Sequence, residues 1–236
     1  MSILTRGIVL RKVPYTSSSA ILKVYTRDFG MASYMISGLG RKGRKSAIAQ
    51  PLTRISFSTR DNPKSTVNAM YTPELVNYTN QNSNPLKAAI SLFLAEVLSK
   101  AIGEESKDAE LFDFLDNSLD YFEHSSAFLN FHLVLLVRVS RLLGFAFNDN
   151  CSPQSPLFDL ENGSFVENPN NSLHVLNAKR SKSISELIRA DDFGAHLKFG
   201  NESRRELLED IVLFYSLHIE GLGKIKSLAV LKEIFS

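Results

Sequence analysis

The sequence predicts an α+β protein, in which a five-stranded β-barrel precedes an all-helical domain that carries a small irregular insertion. Two observations support this prediction. Short extended segments separated by turn residues fill the first 80 residues, and apolar residues recur at helical spacing beyond them. The Asn-rich connector at 77–85 lies between the two patterns. We therefore expect a barrel domain at residues 1–80 and a helical domain at 81–236.

Five segments have strand character, and each is followed by turn residues such as Gly, Pro, Asp or Asn. They cover residues 3–13, 20–26, 31–39, 52–59 and 66–76. The fourth alternates with period two, which predicts Ile55 and Phe57 on the buried face and Arg54 and Arg60 on the solvent face. Five short strands match the oligonucleotide-binding (OB) barrel, a fold that recurs in nucleic-acid binders.

Helical spacing predicts two packed helices, at about 86–102 and 111–122, and a third that begins at Ser125–Ser126 and runs to about Phe145. The third is apolar nearly all round, as a central bundle helix should be. An insertion rich in Asn, Ser and Pro follows at about 148–181, with a small hairpin around 161–163. Further helices are expected at 183–190, 203–220 and 224–235. Ser203 and Glu206 are predicted to form a capping box for the second of these.

The basic residues are concentrated at one end of the chain. The first 80 residues hold 12 of the 27 Lys/Arg and three of the 25 Asp/Glu, a formal charge of +9 against −7 for the rest. Such a split predicts a positive field at one end of the molecule and a polyanionic partner, with nucleic acid the first candidate.

Several other classes of protein are disfavoured. No segment approaches the roughly 20 apolar residues of a membrane span, and the first residues do not resemble a signal peptide, so we expect a cytoplasmic, nucleoid-associated protein. The single Cys151 can supply neither an internal disulfide nor a Cys-rich zinc site. The five His residues match no catalytic or metal motif, so we expect no enzyme, cofactor or metal.

A glycine-rich basic loop is the strongest predicted DNA-contact site. Arg41, Lys42, Arg44 and Lys45 alternate with glycines that let a phosphate approach the backbone closely. A solvated loop kept cationic for solubility is the alternative interpretation. Other basic side chains would extend the surface, and among the aromatics Tyr34 is the base-stacking candidate, Phe57 belongs to the core and Tyr25 is undecided. The predicted DNA-binding residues are Lys23, Arg27, Tyr34, Arg41, Lys42, Arg44, Lys45, Arg54, Arg60 and Lys64.

Several short motifs follow one another along the chain: residues 5–10, the Tyr15 turn, the segment 21–26 followed by Gly30, and the basic loop 38–46 with residues 50–52. The segments 74–75, 95–98 and 110–112 continue the series into the helical part. In this order and spacing they resemble the bacterial recombination mediator family RecO over nearly the whole length of the chain. Two departures stand out: Ser17–Ser19 replace an acidic residue found in many members, and the insertion lacks the four zinc-binding cysteines that many members carry there.

The resemblance implies a non-enzymatic mediator that binds single- and double-stranded DNA and anneals strands. It also implies that the mediator works with RecR and helps load RecA onto DNA coated by single-stranded DNA-binding protein. The helical domain would dock the acidic, Phe-terminated tail of that protein through Arg138, Arg141, Arg204 and Arg205, with ordinary intramolecular ion pairs as the alternative for Arg138 and Arg141. An adaptor that binds acidic proteins and an RNA-binding factor remain alternatives for the whole chain. Strand preference, oligomeric state, the RecR-binding surface and any role of the insertion stay open.

Overall fold

A computed structural model describes residues 2–38, 44–60, 65–76, 84–104, 107–169 and 172–235, with the backbone alone at 44 and 45. The chain divides into two compact units, Met1–His124 and Ser125–Ser236. The predicted domain boundary near residue 80 lies outside the described residues. The first compact unit extends beyond that point, because two helices pack on the barrel.

The first unit begins with a curled sheet of six strands. These are β1 (Ile3–Pro14), β2 (Ser19–Thr26), β3 (Gly30–Ser37), β4 (Arg54–Thr59), β5 (Asn68–Ala69) and β6 (Tyr71–Leu75). Their order is β5-β3-β2-β1-β4-β6, and every pair is antiparallel except β3 with β5.

Only Met70 separates β5 from β6. This single segment therefore pairs with β3 through β5 and with β4 through β6, which curls the sheet into an OB-type barrel. The predicted α+β class is thereby confirmed. Two details differ from the sequence prediction. The fifth strand is interrupted at Met70, and a short helix, α1 (Arg44–Ile48), occupies part of the predicted loop.

The inner face of the barrel is a continuous apolar core in which Val9, Leu22, Val24 and Ile55 are fully buried. Gly7 on β1 allows this packing, since a Cβ there would lie 2.5 Å from Val24 Cγ1 on the neighbouring strand. The predicted inward direction of Ile55 and Phe57 is confirmed.

Two helices cover part of the outer face of the barrel. They are α2 (Pro85–Ala101), whose N-terminus is capped by Asn84 Oδ1, and α3 (Ala109–His124). The buried phenol of Tyr25 on β2 donates a hydrogen bond to the Asp108 carbonyl (3.0 Å), and its ring centroid lies 6.0 Å from that of Phe112. Tyr25 is therefore an anchor for α3, and this contact places α3 over β2.

The second unit is mainly helical. It contains α4 (Phe131–Leu142), β7 (Leu157–Asp159), β8 (Ser164–Val166), α5 (Ala178–Ile188), a 3-10 turn (Asp192–Gly194), α6 (Asn201–His218) and α7 (Ser227–Ile234). The predicted central helix is confirmed as α4, which is buried nearly all round, although it begins at Phe131. The predicted hairpin is present as β7 and β8. The predicted capping box at Ser203 is wrong, since α6 begins at Asn201.

Candidate nucleic-acid interface

Four of the basic side chains on the barrel are paired with carboxylates of the segment that follows it. Arg6 contacts Asp116, Lys23 contacts Glu104, and Arg27 contacts Asp113. Arg54 contacts three carboxylates, those of Asp116, Asp120 and Glu123. Residues 1–124 hold 15 Lys/Arg and 12 Asp/Glu, a formal charge of +3. Most of the charge asymmetry seen in the sequence is therefore balanced inside one compact unit.

Arg54 is the most deeply buried of these cations, and its predicted role in DNA contact is wrong. The side chain is 3% exposed, and Nη2 lies 2.8 Å from both Asp120 Oδ1 and Glu123 Oε2. Nη1 also donates to the Asp116 carbonyl (3.3 Å). Arg54 does lie on the outer face of β4, but α3 covers this part of the face and leaves no room for a phosphate there.

Burial and hydrogen bonding act in opposite directions on this cluster. Burial lowers the pKa of Arg54, yet the hydrogen bonds to Glu123 and Asp120 outweigh it and hold that pKa above its usual value. Burial raises the pKa of Glu123, and the hydrogen bond from Arg54 offsets only part of the rise. The guanidinium thus remains charged and serves to attach α3 to β4.

Arg27 and Lys23 are paired but less enclosed. Arg27 Nε and Nη2 each lie 2.8 Å from an oxygen of Asp113, and both side chains are nearly half exposed. The hydrogen bond from Arg27 is the main cause that lowers the pKa of Asp113. Lys23 Nζ is 3.4 Å from both the Ser99 carbonyl and Glu104 Oε1. A phosphate would have to compete with these carboxylates for either cation.

The assignment of Tyr34 as a base-stacking residue is wrong. Its ring is 1% exposed and packs edge-on against Phe57, with centroids 4.8 Å apart, inside the barrel core. Tyr34 pairs with Leu22 across β2 and β3, and this register places both on the inner face.

The remaining predicted DNA-binding residues divide into two groups. Arg60 follows β4 and is exposed, with no ion pair to any residue that the structure describes. Arg41, Lys42 and Lys64 lie outside the described residues, and Arg44 and Lys45 are described only as backbone of α1. Their role remains a prediction from the sequence.

The structure adds an exposed surface that the sequence did not predict, on the outer face of β1, β2 and β3. Arg11 pairs in register with Lys23, and Val13 with Ile21, so these four side chains share a face. Arg11 is exposed, Val13 is 42% exposed, and Tyr15 in the β1–β2 turn is 65% exposed. OB barrels bind oligonucleotides on this part of the sheet and on the loops beside it. Tyr15 is among the residues that carry the family resemblance, but only the strand register places it on the same surface as Arg11.

The four arginines proposed for partner docking differ in accessibility. Arg204 is 8% exposed and donates from Nε to Asn130 Oδ1 (3.0 Å), so it is a structural residue, contrary to the prediction. Arg138 Nη2 donates to the Ala190 carbonyl (2.6 Å), and its guanidinium lies 4.8 Å from the Phe193 ring centroid. Arg141 is exposed and Arg205 half-buried.

The insertion is organised around a carboxylate. Asp159 on β7 is 2% exposed and accepts hydrogen bonds from Glu161 N (2.9 Å), Asn162 Nδ2 (2.6 Å) and Ser172 Oγ (2.8 Å). Phe158, Phe147 and Phe214 pack beside it. Cys151 is a free, half-buried thiol. Hydrogen bonds and aromatic packing therefore stabilise the insertion, the segment that lacks the four cysteines named in the sequence analysis.

One group of potential metal ligands occurs in the described part of the chain. Ligand atoms of Asp120, Glu123 and His124 lie within 4.8 Å of one another. Both carboxylates already accept hydrogen bonds from Arg54, which supplies the positive charge at that position. In the same part of the chain, no helix combines the length and the apolar character needed to cross a bilayer.

Fold and surface together define a protein with an OB-type barrel, an exposed cationic sheet face and a helical second unit. The model for the Recombination protein O N-terminal domain matches residues 1–78, and that for the C-terminal domain matches residues 82–229. The chain belongs to the RecO family.

Curated relatives are similar to this chain over their full or nearly full lengths. The chain is 32% identical to the DNA repair protein RecO of Christiangramia forsetii over 240 residues, which cover 100% of both chains. It is 34% identical to the DNA repair protein RecO of Phocaeicola vulgatus over 247 residues, which cover 98% of each. It is 30% identical to that of Azobacteroides pseudotrichonymphae, again over 98% of each. This family membership supports a role in DNA repair.

Proposed function

We propose that the chain is a non-enzymatic recombination mediator that binds single- and double-stranded DNA and anneals complementary strands. The supporting observation is family membership over the whole length together with an OB-type barrel that presents Arg11, Tyr15 and Arg60 to solvent. Cations that neutralise phosphates let two strands approach each other without nucleotide hydrolysis. The mediator acts in the cytoplasm, at the nucleoid.

The finer steps of the proposal come from the family resemblance. The mediator recruits RecR and helps load RecA onto DNA coated by single-stranded DNA-binding protein. Its helical unit receives the acidic tail of that protein, and among the four predicted arginines Arg141 has the exposure that a carboxylate partner needs. Arg138 would have to exchange its bond to the Ala190 carbonyl for the tail.

Salt dependence of binding tests the proposal. The affinity for a fluorescent oligonucleotide, measured by anisotropy across a salt series, should fall with a slope of about −0.7 per neutralised phosphate on single strands and about −0.9 on duplex. Replacing Arg41, Lys42, Arg44 and Lys45 together by alanine should reduce that slope by up to about 3 units on single strands. A matched variant that removes the four exposed residues Lys179, Lys182, Lys198 and Lys224 from the second unit should change it less.

Two outcomes would redirect the assignment. Unchanged DNA affinity in the four-residue variant would remove the basic loop from the interface. A wild-type chain that does not bind DNA but binds an acidic protein with the same cations would favour an adaptor. Competition between RNA and single-stranded DNA of one sequence separates the RNA-binding alternative.

A further inference from the structure

A second exposed surface lies on the outer face of β1, β4 and β6, at the opposite end of β1 from Arg11 and Val13. Leu4 pairs with Ser58, and Ser58 pairs with Tyr71, so the three side chains form one row on the outer face. Leu4 is 71% exposed and Tyr71 is 46% exposed. At the start of β4, Arg54 on the same face is covered by α3. The row of Leu4, Ser58 and Tyr71 lies on the part of the face that this helix leaves open.

The backbone beside Tyr71 is distorted. The pairing of β4 with β6 shifts register between Ser56 and Ser58, which is a β-bulge, and Thr72 within it has a φ of 43°. A β-branched residue in the left-handed region is strained, and such strain persists where the surrounding structure requires it. Bulges often redirect a side chain at a functional surface. Here the bulge sets the position of Tyr71.

The chemistry around Tyr71 suits a nucleic-acid strand. Arg60 is exposed, follows β4 directly, and continues the alternation of Ser56 and Ser58 on the outer face. It makes no ion pair with a carboxylate in the described ranges, in contrast to Arg6, Arg27 and Arg54. An accessible aromatic ring and an accessible guanidinium on the same outer face can stack a base and bind a phosphate of one strand.

The same row is a poor match for the apolar centre of a protein interface. The polar Ser58 separates Leu4 from Tyr71, and the next row across the strands consists of Arg6, Ser56 and Glu74. Interface centres are depleted of charged residues and contain contiguous apolar side chains. The arrangement instead offers one isolated ring for a single flat ligand.

We infer that Tyr71 is a stacking site for an unpaired base of a single-stranded nucleic acid, with Leu4 at the far end of the same row and Arg60 binding a phosphate of the same strand. This inference rests on the proposed DNA-binding function and adds a contact that distinguishes single strands from duplex. Bases in a duplex are already stacked on one another, so they cannot use the ring without unpairing.

The sequence contains no Trp, which allows a direct test. In a Tyr71→Trp variant the only indole lies at the proposed site, and its fluorescence should be quenched by oligothymidine but not by duplex DNA. A Leu92→Trp variant, which places the indole at an exposed position on α2, is the control and should not respond. Anisotropy of the labelled oligonucleotide measures binding independently in each variant.

Affinity measurements complete the test. Tyr71→Ala should weaken single-strand binding by about fivefold or more and leave duplex binding unchanged, whereas Tyr71→Phe should retain wild-type affinity because stacking does not need the hydroxyl. Normal DNA binding without quenching in the Tyr71→Trp variant, or wild-type affinity in Tyr71→Ala, would overturn the stacking site alone. A wild-type chain that binds no DNA would overturn the proposed function as well.

Discussion

Arg54 of β4 and Glu123 of α3 form a buried ion pair, with Nη2 2.8 Å from Oε2 and side chains that are 3% and 5% exposed. The pair joins the barrel to α3, the second helix after it. A residue whose position in the sequence suggested contact with DNA therefore has an architectural role.

We predict that Arg54→Ala destabilises the protein by about 3–5 kcal/mol, since it leaves the Glu123 carboxylate buried without its guanidinium. Urea denaturation followed by circular dichroism measures the change. The double variant Arg54→Met with Glu123→Leu should recover much of the loss, because it removes both charges of this pair, while Asp116 keeps its contact with Arg6 and Asp120 is nearly half exposed. Arg60→Ala, at an exposed position, is the control and should change stability by less than about 0.5 kcal/mol. Reduced DNA affinity in Arg54→Ala with unchanged stability would contradict this role.

For the exposed pair between Arg27 and Asp113 we predict a gain of DNA affinity when the carboxylate is removed. Asp113→Asn should raise DNA affinity severalfold at low salt and steepen the salt dependence by up to about one phosphate, because Arg27 no longer has a competing carboxylate. Stability should change by less than about 1 kcal/mol, as for other exposed pairs. Fluorescence anisotropy at several salt concentrations provides the measurement.

The second unit offers a matched control for this prediction. Asp149 accepts hydrogen bonds from Arg189 in a similarly exposed pair, so Asp149→Asn releases an arginine that does not belong to the barrel. Equal gains of affinity in both variants would show that net charge, and not the position of Arg27, is responsible.

We predict that His132 on α4 makes the stability of the protein sensitive to acid. Burial, aided by the charge of Arg204, lowers the pKa of His132 from 6.5 to about 3. The unfolded chain therefore binds this proton more readily, and the stabilisation present above about pH 6.5 is lost progressively as the pH falls towards 3. Between pH 7 and pH 5 the loss should amount to about 2 kcal/mol.

Thermal denaturation at the two pH values checks this effect. In His132→Phe the difference in stability between pH 7 and pH 5 should be smaller by that amount. His124→Gln, which removes an exposed histidine, should retain the wild-type difference. The explanation would fail if both variants behaved alike.

Asp159 should be important for the stability of the insertion. Burial raises its pKa, but hydrogen bonds from Asn162, Ser172 and the backbone outweigh this and keep that pKa low. Asp159→Ala removes the acceptor of three donors and should cost about 1–3 kcal/mol. Amide hydrogen exchange should show the loss of protection in β7 and β8. Glu167→Gln, an exposed change next to β8, should leave exchange unaltered.

Much of the fold could be predicted from local patterns. The alternation in β4 identified Ile55 and Phe57 correctly as core residues, and the apolar character of α4 predicted a central helix. These inferences succeed because burial on the inside of a barrel or bundle imposes the period of the element on the sequence.

The predictions for Arg54 and Tyr34 failed for different reasons. Alternation assigned Arg54 to the outer face correctly, but it cannot show that another helix covers that face. For Tyr34 only the pairing with Leu22 decides which parity of β3 points inwards. One signal was available: Asp113, Asp116, Asp120 and Glu123 repeat at helical spacing and form an acidic stripe on α3. Such a stripe, close in sequence to a basic barrel, indicates that the two attract each other.

The cover that α3 provides also determines where the chain can be shortened. A fragment that ends at residue 80 would expose the ring of Tyr25 and leave the Arg54 guanidinium without its carboxylates. Such a fragment would be prone to aggregation. Truncation after His124 keeps the helical cover, so residues 1–124 form a shortened fragment that is suited to isolated study.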